Sequence, residues 1–211
     1  MSSHRPAILG RSLCYAYDAE DVLHDVTVHL AFGEVAAVAG PNGSGKSTLV
    51  EILAGVLRPR SGAVTRAGDV ALVVQRPDAP PSLPVTVRDA VAMGTWAGGR
   101  RMPRARARTA VAEAIARVEL TGYEDRPLSA LSGGQRQRAL LAQGIVRRPS
   151  ILLLDEPAAG LDSRSRDRTR TILAEEARRG AAVACVTHDE TSMAVADRVI
   201  RIEAGRLQAS A

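Results

Sequence analysis

Apolar and polar residues change period several times along this chain, and the changes divide it into elements. Residues 8–17, "ILGRSLCYAY", and 25–30, "DVTVHL", partly alternate, as half-buried strands do. Residues 34–40, "EVAAVAG", form a short apolar run closed by glycine, the pattern of a buried strand feeding a turn. "KSTLVEILAGVL" then has helical spacing through Leu49, Ile52, Leu53 and Val56 and stops near "RPRSG". "DVALVVQ" (69–75) reads as another strand. Residues 77–98 begin proline-rich and turn helical, and two amphipathic helices follow, over 106–120 and 132–148. "SILLLDEP" (150–157) and "AAVACVTHD" (181–189) are buried strands separated by a helix over 164–179, and "RVIRIEAGRL" closes the chain as strand and turn. Strands alternating with helices at both ends imply an α/β fold with a parallel sheet covered on both faces. The mostly helical middle, roughly 78–142, is expected to be an insertion into one domain spanning 1–211, because no linker or internal repeat divides the chain.

Composition changes this picture little. Aromatics are only 2%, so Ala, Val, Leu and Ile must build the core. No run approaches the roughly 18 apolar residues a membrane span needs, and the N-terminus shows no secretion signal. Any membrane role is therefore expected to pass through a partner. Cys14 and Cys185 lie far apart and read as free thiols, and no CxxC or HxxH spacing suggests a metal site. The net charge of +5 invites a nucleic-acid reading. Its distribution argues against one. "RRMPRARAR" (100–108) holds five arginines; removing them from the 28 basic residues leaves 23, equal to the 23 acidic ones. The excess is local and is expected to be a solvated loop and helix start, with lipid headgroups, a protein partner or nucleic acid as alternatives.

Two motifs carry the chemistry. "GPNGSGKST" (40–48) fits GxxxxGK[ST] between a strand and a helix. Gly40, Asn42, Gly43, Ser44, Gly45 and Thr48 would wrap phosphates in backbone N–H groups. Lys46 would set its ammonium between the β- and γ-phosphates, and Ser47 would ligate Mg²⁺. "ILLLDEP" (151–157) ends an apolar strand in two carboxylates. Asp155 then falls at the sheet's carboxyl edge, where it can hold the metal, and Glu156 can polarise an attacking water.

With these motifs in place, the sequence resembles the ATP-binding subunit of an ABC transporter over nearly its whole length. In family order it shows "GPNGSGKST", Gln75 in "VVQRP", "LSGGQ", "ILLLDEP", "AAGLD" and His188 in "VTHD". The resemblance implies a P-loop ATPase with a RecA-like parallel-sheet core, an N-terminal antiparallel β subdomain and an inserted helical subdomain. It implies that Tyr17, 23 positions before Gly40, stacks on adenine. Gln75 would approach Mg²⁺ and the lytic water, Asp162 would communicate across a dimer, and His188 would contact the γ-phosphate. Ala158 departs from the hydroxyl residue many relatives carry. No catalytic position is degenerate, so a hydrolysing subunit is expected. His4, His24 and His29 match no motif.

"LSGGQRQ" (131–137) is a second anion-binding device: Ser132, Gly133, Gly134 and Gln135 open a helix, but no lysine or acidic strand adjoins them. It is half a site. The resemblance implies that it closes over ATP held by the opposite subunit of a homodimer or paired ATPase, with two shared sites about a two-fold axis. Residues 83–98, "LPVTVRDAVAMGTWAG", are similar to the "P-x-T-V-x-D-x-V-x-M-G" run in ATPase subunits of zinc, manganese and iron-chelate importers, most of all Azt-type zinc importers. The implied partners are a membrane permease docking near 77–98 and an extracytoplasmic metal-binding protein, and the implied place is the cytoplasmic face of the membrane. An exporter or an importer of other cargo stays open. The end at Ala211 is expected to leave no room for a C-terminal regulatory domain.

Overall fold

The structure is a computed structural model that describes residues 6–18, 20–74, 85–99 and 101–208, with backbone only for 97–99. Nine strands and six α-helices are formed by these residues. Strand β1 (Ile8–Tyr17) pairs antiparallel with β2 (Glu20–Leu30) on one side and β4 (Ser61–Arg66) on the other. The larger sheet contains β3 (Val35–Ala39), β5 (Val70–Val73), β6 (Ile151–Asp155), β7 (Ala182–Val186), β8 (Arg198–Glu203) and β9 (Arg206–Leu207). Its order is β5-β6-β7-β3-β8-β9, and every pair is parallel except β8 with β9.

Pleat explains how a continuous apolar run serves two cores. On β6, Ile151 and Leu153 face one cluster and Leu152 and Leu154 the other. The first cluster joins them to Leu49 and Ile52 of α1 (Lys46–Ala54) and to Ile8 and Val26 of the small sheet. The second takes Val91 of α2 (Val87–Met93), Ile115 of α3 (Arg104–Arg117), Leu141 of α4 (Gly133–Ile145) and Ile172 of α5 (Ser163–Arg178). A short α6 (Glu190–Ala194) follows β7.

The α/β fold with a parallel sheet expected from the pattern is the one observed, and the small antiparallel sheet implied by the resemblance is present beside it. Three local expectations shift. β4 was not anticipated, because "SGAVTR" is almost wholly exposed and shows no alternation. β2 begins at Glu20 rather than Asp25, and α3 begins at Arg104. Residues 75–84, which include Gln75 and the proline-rich start of the expected docking segment, lie outside the described residues.

Candidate functional site

β3 delivers the chain to the sheet's carboxyl edge, where Gly40 turns it. Gly40 has φ +151°, and a Cβ there would lie 1.9 Å from the Ile202 carbonyl oxygen of β8. Gly45, at φ +97°, has the Leu23 side chain of β2 at 2.7 Å from the same hypothetical atom. Glycine is thus required at both ends of the loop by neighbouring strands as well as by backbone angle. Asn42 and Gly43 are exposed at its crest. The loop has a support that the sequence reading did not find. Gly205, in the β8–β9 turn, donates its N–H to the Ser44 carbonyl at 3.2 Å and accepts from the His24 N–H at 2.9 Å. Only the "AG" pair before "RL" hinted at a turn there, and nothing local tied it to the loop.

No side chain caps the start of α1, so its positive end opens on the loop. Lys46 is buried, and its Nζ donates to the Gly40 and Pro41 carbonyls at 3.0 and 2.7 Å. An ammonium carries three donors, so one remains for an anion in the loop. Among the described residues the buried Ser44 hydroxyl has no hydrogen-bond partner. Thr48 is buried in the first turn.

β6 brings the carboxylates alongside. Ser47 donates its hydroxyl to Asp155 Oδ1 at 3.1 Å. Burial raises the Asp155 pKa; the Ser47 bond opposes this, the Glu156 charge reinforces it, and Lys46 again opposes. Glu156 adopts φ +46°, uncommon for a residue with a side chain, and its N–H donates to the Val186 carbonyl at 3.2 Å. That turn leaves Glu156 Oε1 3.8 Å from Nδ1 of His188, which is exposed just past β7. Lys46, Ser47, Asp155, Glu156 and His188 therefore lie at one edge of the sheet. Cys185 of β7 is buried beside them, and its thiol is pushed up to about 12, first by burial and then by the charges of Asp155, Glu156 and Asp189.

Asp189 anchors the His188 turn. It caps α6, accepting from the Ser192 N–H and hydroxyl at 3.0 and 2.5 Å and from the Thr191 hydroxyl at 2.7 Å. These bonds, chiefly that from the Ser192 hydroxyl, lower its pKa to about 2, and Arg170 of α5 also contributes. Arg170 donates to the Thr191 hydroxyl at 2.7 Å, tying the His188 turn to the helix that starts at Asp162.

The signature segment is built differently. Ser132 caps α4 in a reciprocal box: its hydroxyl accepts from the Gln135 N–H at 3.3 Å, and Gln135 Oε1 accepts from the Ser132 N–H at 3.0 Å. Gly133 is exposed, with only Leu161 within 4 Å of a hypothetical Cβ. Gly134 is buried, and a Cβ there would lie 2.3 Å from Ser165 Oγ and 2.8 Å from Ser165 Cβ. Ser165 in turn donates its N–H and hydroxyl to the two oxygens of Asp162, both at 2.9 Å, which lowers the Asp162 pKa. Sequence reading missed Ser165, because its partner lies on another helix. Among the described residues, no hydrogen bond or ion pair joins 132–135 to 40–48. Tyr17 is 47% exposed and meets Tyr15 edge-on at 4.9 Å. It ends β1 opposite Glu20, just before the β2 residues that touch Gly45. Trp96 is exposed and does not fill the core.

A family model described as ABC transporter matches residues 23–159. The chain belongs to the ABC transporter family. It is an ABC-type ATPase that binds ATP. It is 43% identical over 202 residues to the hemin import ATP-binding protein HmuV of Streptomyces coelicolor, covering 89% of this chain and 71% of that one. Over 222 residues it is 38% identical to the cobalt import ATP-binding protein CbiO of Rhodobacter capsulatus, covering 97% and 78%. Over 200 residues it is 38% identical to the zinc import ATP-binding protein ZnuC of Ruegeria pomeroyi, covering 92% and 74%. Its fold matches cbiO1 of Clostridium perfringens, part of the ABC transporter complex cbiONQ, with a TM-score of 0.83 at 27% identity over 97% of this chain and 87% of that one. These relatives are named for different cargoes at similar identity, so the likeness does not single out the zinc type. Among the described residues no helix is long and apolar enough to cross a membrane.

Proposed function

We propose that this ABC ATPase couples ATP binding and hydrolysis in a dimer to import through a separate permease, at the cytoplasmic face of the membrane. The observation that carries the reading is the convergence of Lys46, Ser47, Asp155, Glu156 and His188 on one sheet edge, with Ser47 and Asp155 in direct contact. Residues 1–211 form one nucleotide-binding unit, with 78–142 as its helical insertion.

The loop N–H groups of residues 40–48 and the free donor of Lys46 bind the phosphates, and the unpartnered Ser44 hydroxyl adds a donor from within the loop. Tyr17 offers its exposed ring to adenine. Ser47 and Asp155 present hard oxygen donors that fit Mg²⁺, which favours one or two carboxylates plus substrate phosphates. The bound ion would neutralise phosphate charge. Gln75 belongs to the same set by sequence. Glu156 orients and deprotonates water, whose oxygen attacks the γ-phosphorus as the bond to the ADP oxygen breaks, giving ADP, phosphate and a proton. His188 holds the γ-phosphate beside Glu156. Ser132, Gly133, Gly134 and Gln135 complete the site of the opposite subunit.

Metal-ion import, of zinc or manganese with an extracytoplasmic metal-binding protein, is the cargo reading that residues 83–98 support. Import of a metal chelate is the second reading, favoured by the 43% identity to a hemin import protein. The test of the engine is Glu156→Gln. It should keep ATP affinity, accumulate an ATP-bound dimer and lose about 10²–10⁴ in turnover; full turnover would remove Glu156 from its role. Uptake of zinc, manganese and iron by cells with and without the subunit tests cargo, and equal uptake of all three would defeat the metal reading.

A further inference from the structure

We propose that Tyr15 is a positioning residue for base recognition: it holds the exposed Tyr17 ring in place for the nucleobase of ATP. This rests on the reading of Tyr17 as the surface that meets adenine, and it identifies what orients that surface.

Leu13, Tyr15 and Tyr17 recur at every second position of β1 and rise from the core to the surface. Leu13 is buried, Tyr15 is half-buried against the cluster that contains Leu49 and Ile52 of α1, and Tyr17 is exposed. Tyr15 is thus rooted in the packing that also holds the helix of the phosphate loop. Pairing with β2 is irregular on both sides of Tyr15: the register shifts between Leu13 and Tyr15 and again between Tyr15 and Ala16. Such irregularities increase local twist and re-aim side chains, and they recur beside active sites. Here the two rings, which an even strand would set side by side on one face, meet edge to face, with centroids 4.9 Å apart and planes at 80°.

An edge-to-face pair uses at most one face of either ring. One face of Tyr17 therefore stays open whichever ring supplies the edge, and a base can stack there. Ordering an exposed tyrosine on binding costs affinity, and holding it beforehand recovers that cost. Among the described residues Tyr15 is the aromatic ring in contact with Tyr17. Burial first, and then the charges of Tyr17 and of Glu51 on α1, raise the Tyr15 pKa. Its hydroxyl thus lies within electrostatic reach of both the Tyr17 hydroxyl and the helix that Lys46 opens. Base surface and phosphate loop are set on one packed unit. A ring face reads stacking area and not hydrogen-bonding pattern, so the pair favours a purine over a pyrimidine nucleotide and depends on Tyr15 to do so.

Ligands with and without a base separate the outcomes. ATP, CTP and inorganic tripolyphosphate are titrated calorimetrically into the full chain, with a chelator present to prevent turnover. Tyr15→Leu and Tyr15→Met keep apolar bulk against the core but remove the ring. Each should weaken ATP by about three- to tenfold, narrow the preference for ATP over CTP, and leave tripolyphosphate within about twofold of the parent. Tyr15→Phe keeps the ring and should hold ATP affinity within about twofold of the parent. Equal weakening of ATP and tripolyphosphate, unchanged ATP affinity without the ring, or a loss in Tyr15→Phe as large as in Tyr15→Leu would overturn the proposal. Tyr17→Ala is measured beside them. If it weakens ATP while Tyr15→Leu and Tyr15→Met do not, Tyr15 has no positioning role and the adenine surface stands. If it leaves the ratio of ATP to tripolyphosphate affinity unchanged, the reading of Tyr17 fails first and takes the role of Tyr15 with it.

Discussion

Gly134→Ala adds one methyl group at the tightest helix contact in the signature segment. The new carbon would lie 2.3 Å from Ser165 Oγ and 2.8 Å from Ser165 Cβ, where carbon contacts are ordinarily about 3.5–4.0 Å. Rotating the serine relieves the first overlap but gives up its 2.9 Å bond to Asp162, worth about 1 kcal/mol. The second overlap survives any rotation, because Cβ is fixed to the backbone of α5. The two helices must therefore separate by roughly 0.7–1.2 Å, and overpacking of this kind costs about 1–3 kcal/mol. Alanine's helix preference over glycine offsets at most about 1 kcal/mol. The net expectation is a loss of about 1–3 kcal/mol, or about 2–4 °C of melting temperature for each kcal/mol in a chain of this size. Denaturant and thermal melts of the single variants and the double variant with Ser165→Gly give the coupling. Ser165→Gly removes both offending atoms, so the two changes together should cost less than their sum by about 1–2 kcal/mol. If Gly134→Ala is as stable as the parent and uncoupled from Ser165→Gly, the close approach of α4 and α5 is wrong. For the same reason a bulky change at Gly134 is a poor probe of a partner's ATP. It would disturb this chain's own packing first, and exposed Ser132 is the cleaner probe of a shared site.

Two further outcomes follow from the site. Asp189 has a folded pKa of about 2 against an ordinary 3.8, so its stabilisation is present above the ordinary value and is lost as pH falls toward about 2; the melting temperature of the parent should drop more steeply over that window than that of Asp189→Asn, and parallel curves would refute the assignment. Gly205→Ala places a Cβ 2.3 Å from the Val22 carbonyl at φ +70°, a strain of about 1–3 kcal/mol beside the bond that holds Ser44; ATP affinity by titration should fall along with stability, and unchanged affinity would show that the turn supports the fold but not the loop.

What could be read from the sequence was what is local in the chain. The Gly40–Lys46 loop follows one strand and opens one helix, and β6 is four apolar residues ending in Asp155, with Glu156 next, so composition and order sufficed for both. β4 escaped because its exposed face carries no alternation to detect. Gly205 behind the loop, Arg170 beside the His188 turn and Ser165 against Gly134 escaped for a different reason: each acts on a residue that is distant in sequence, and no spacing announces it. The arginine run falls between these cases. Its charge was plain, but which arginines share a face depends on helix phase, and α3 begins two residues earlier than its apolar pattern suggested. The signature glycines show most clearly what geometry adds. By sequence Gly133 and Gly134 are equivalent, two small residues at a helix start that could both approach an anion. In the fold Gly133 is exposed, with Leu161 at ordinary contact distance, and Gly134 is closed against α5. A side chain at position 134 would therefore meet Ser165 of α5, the residue that also binds both oxygens of Asp162, whereas position 133 on the same helix start stays exposed.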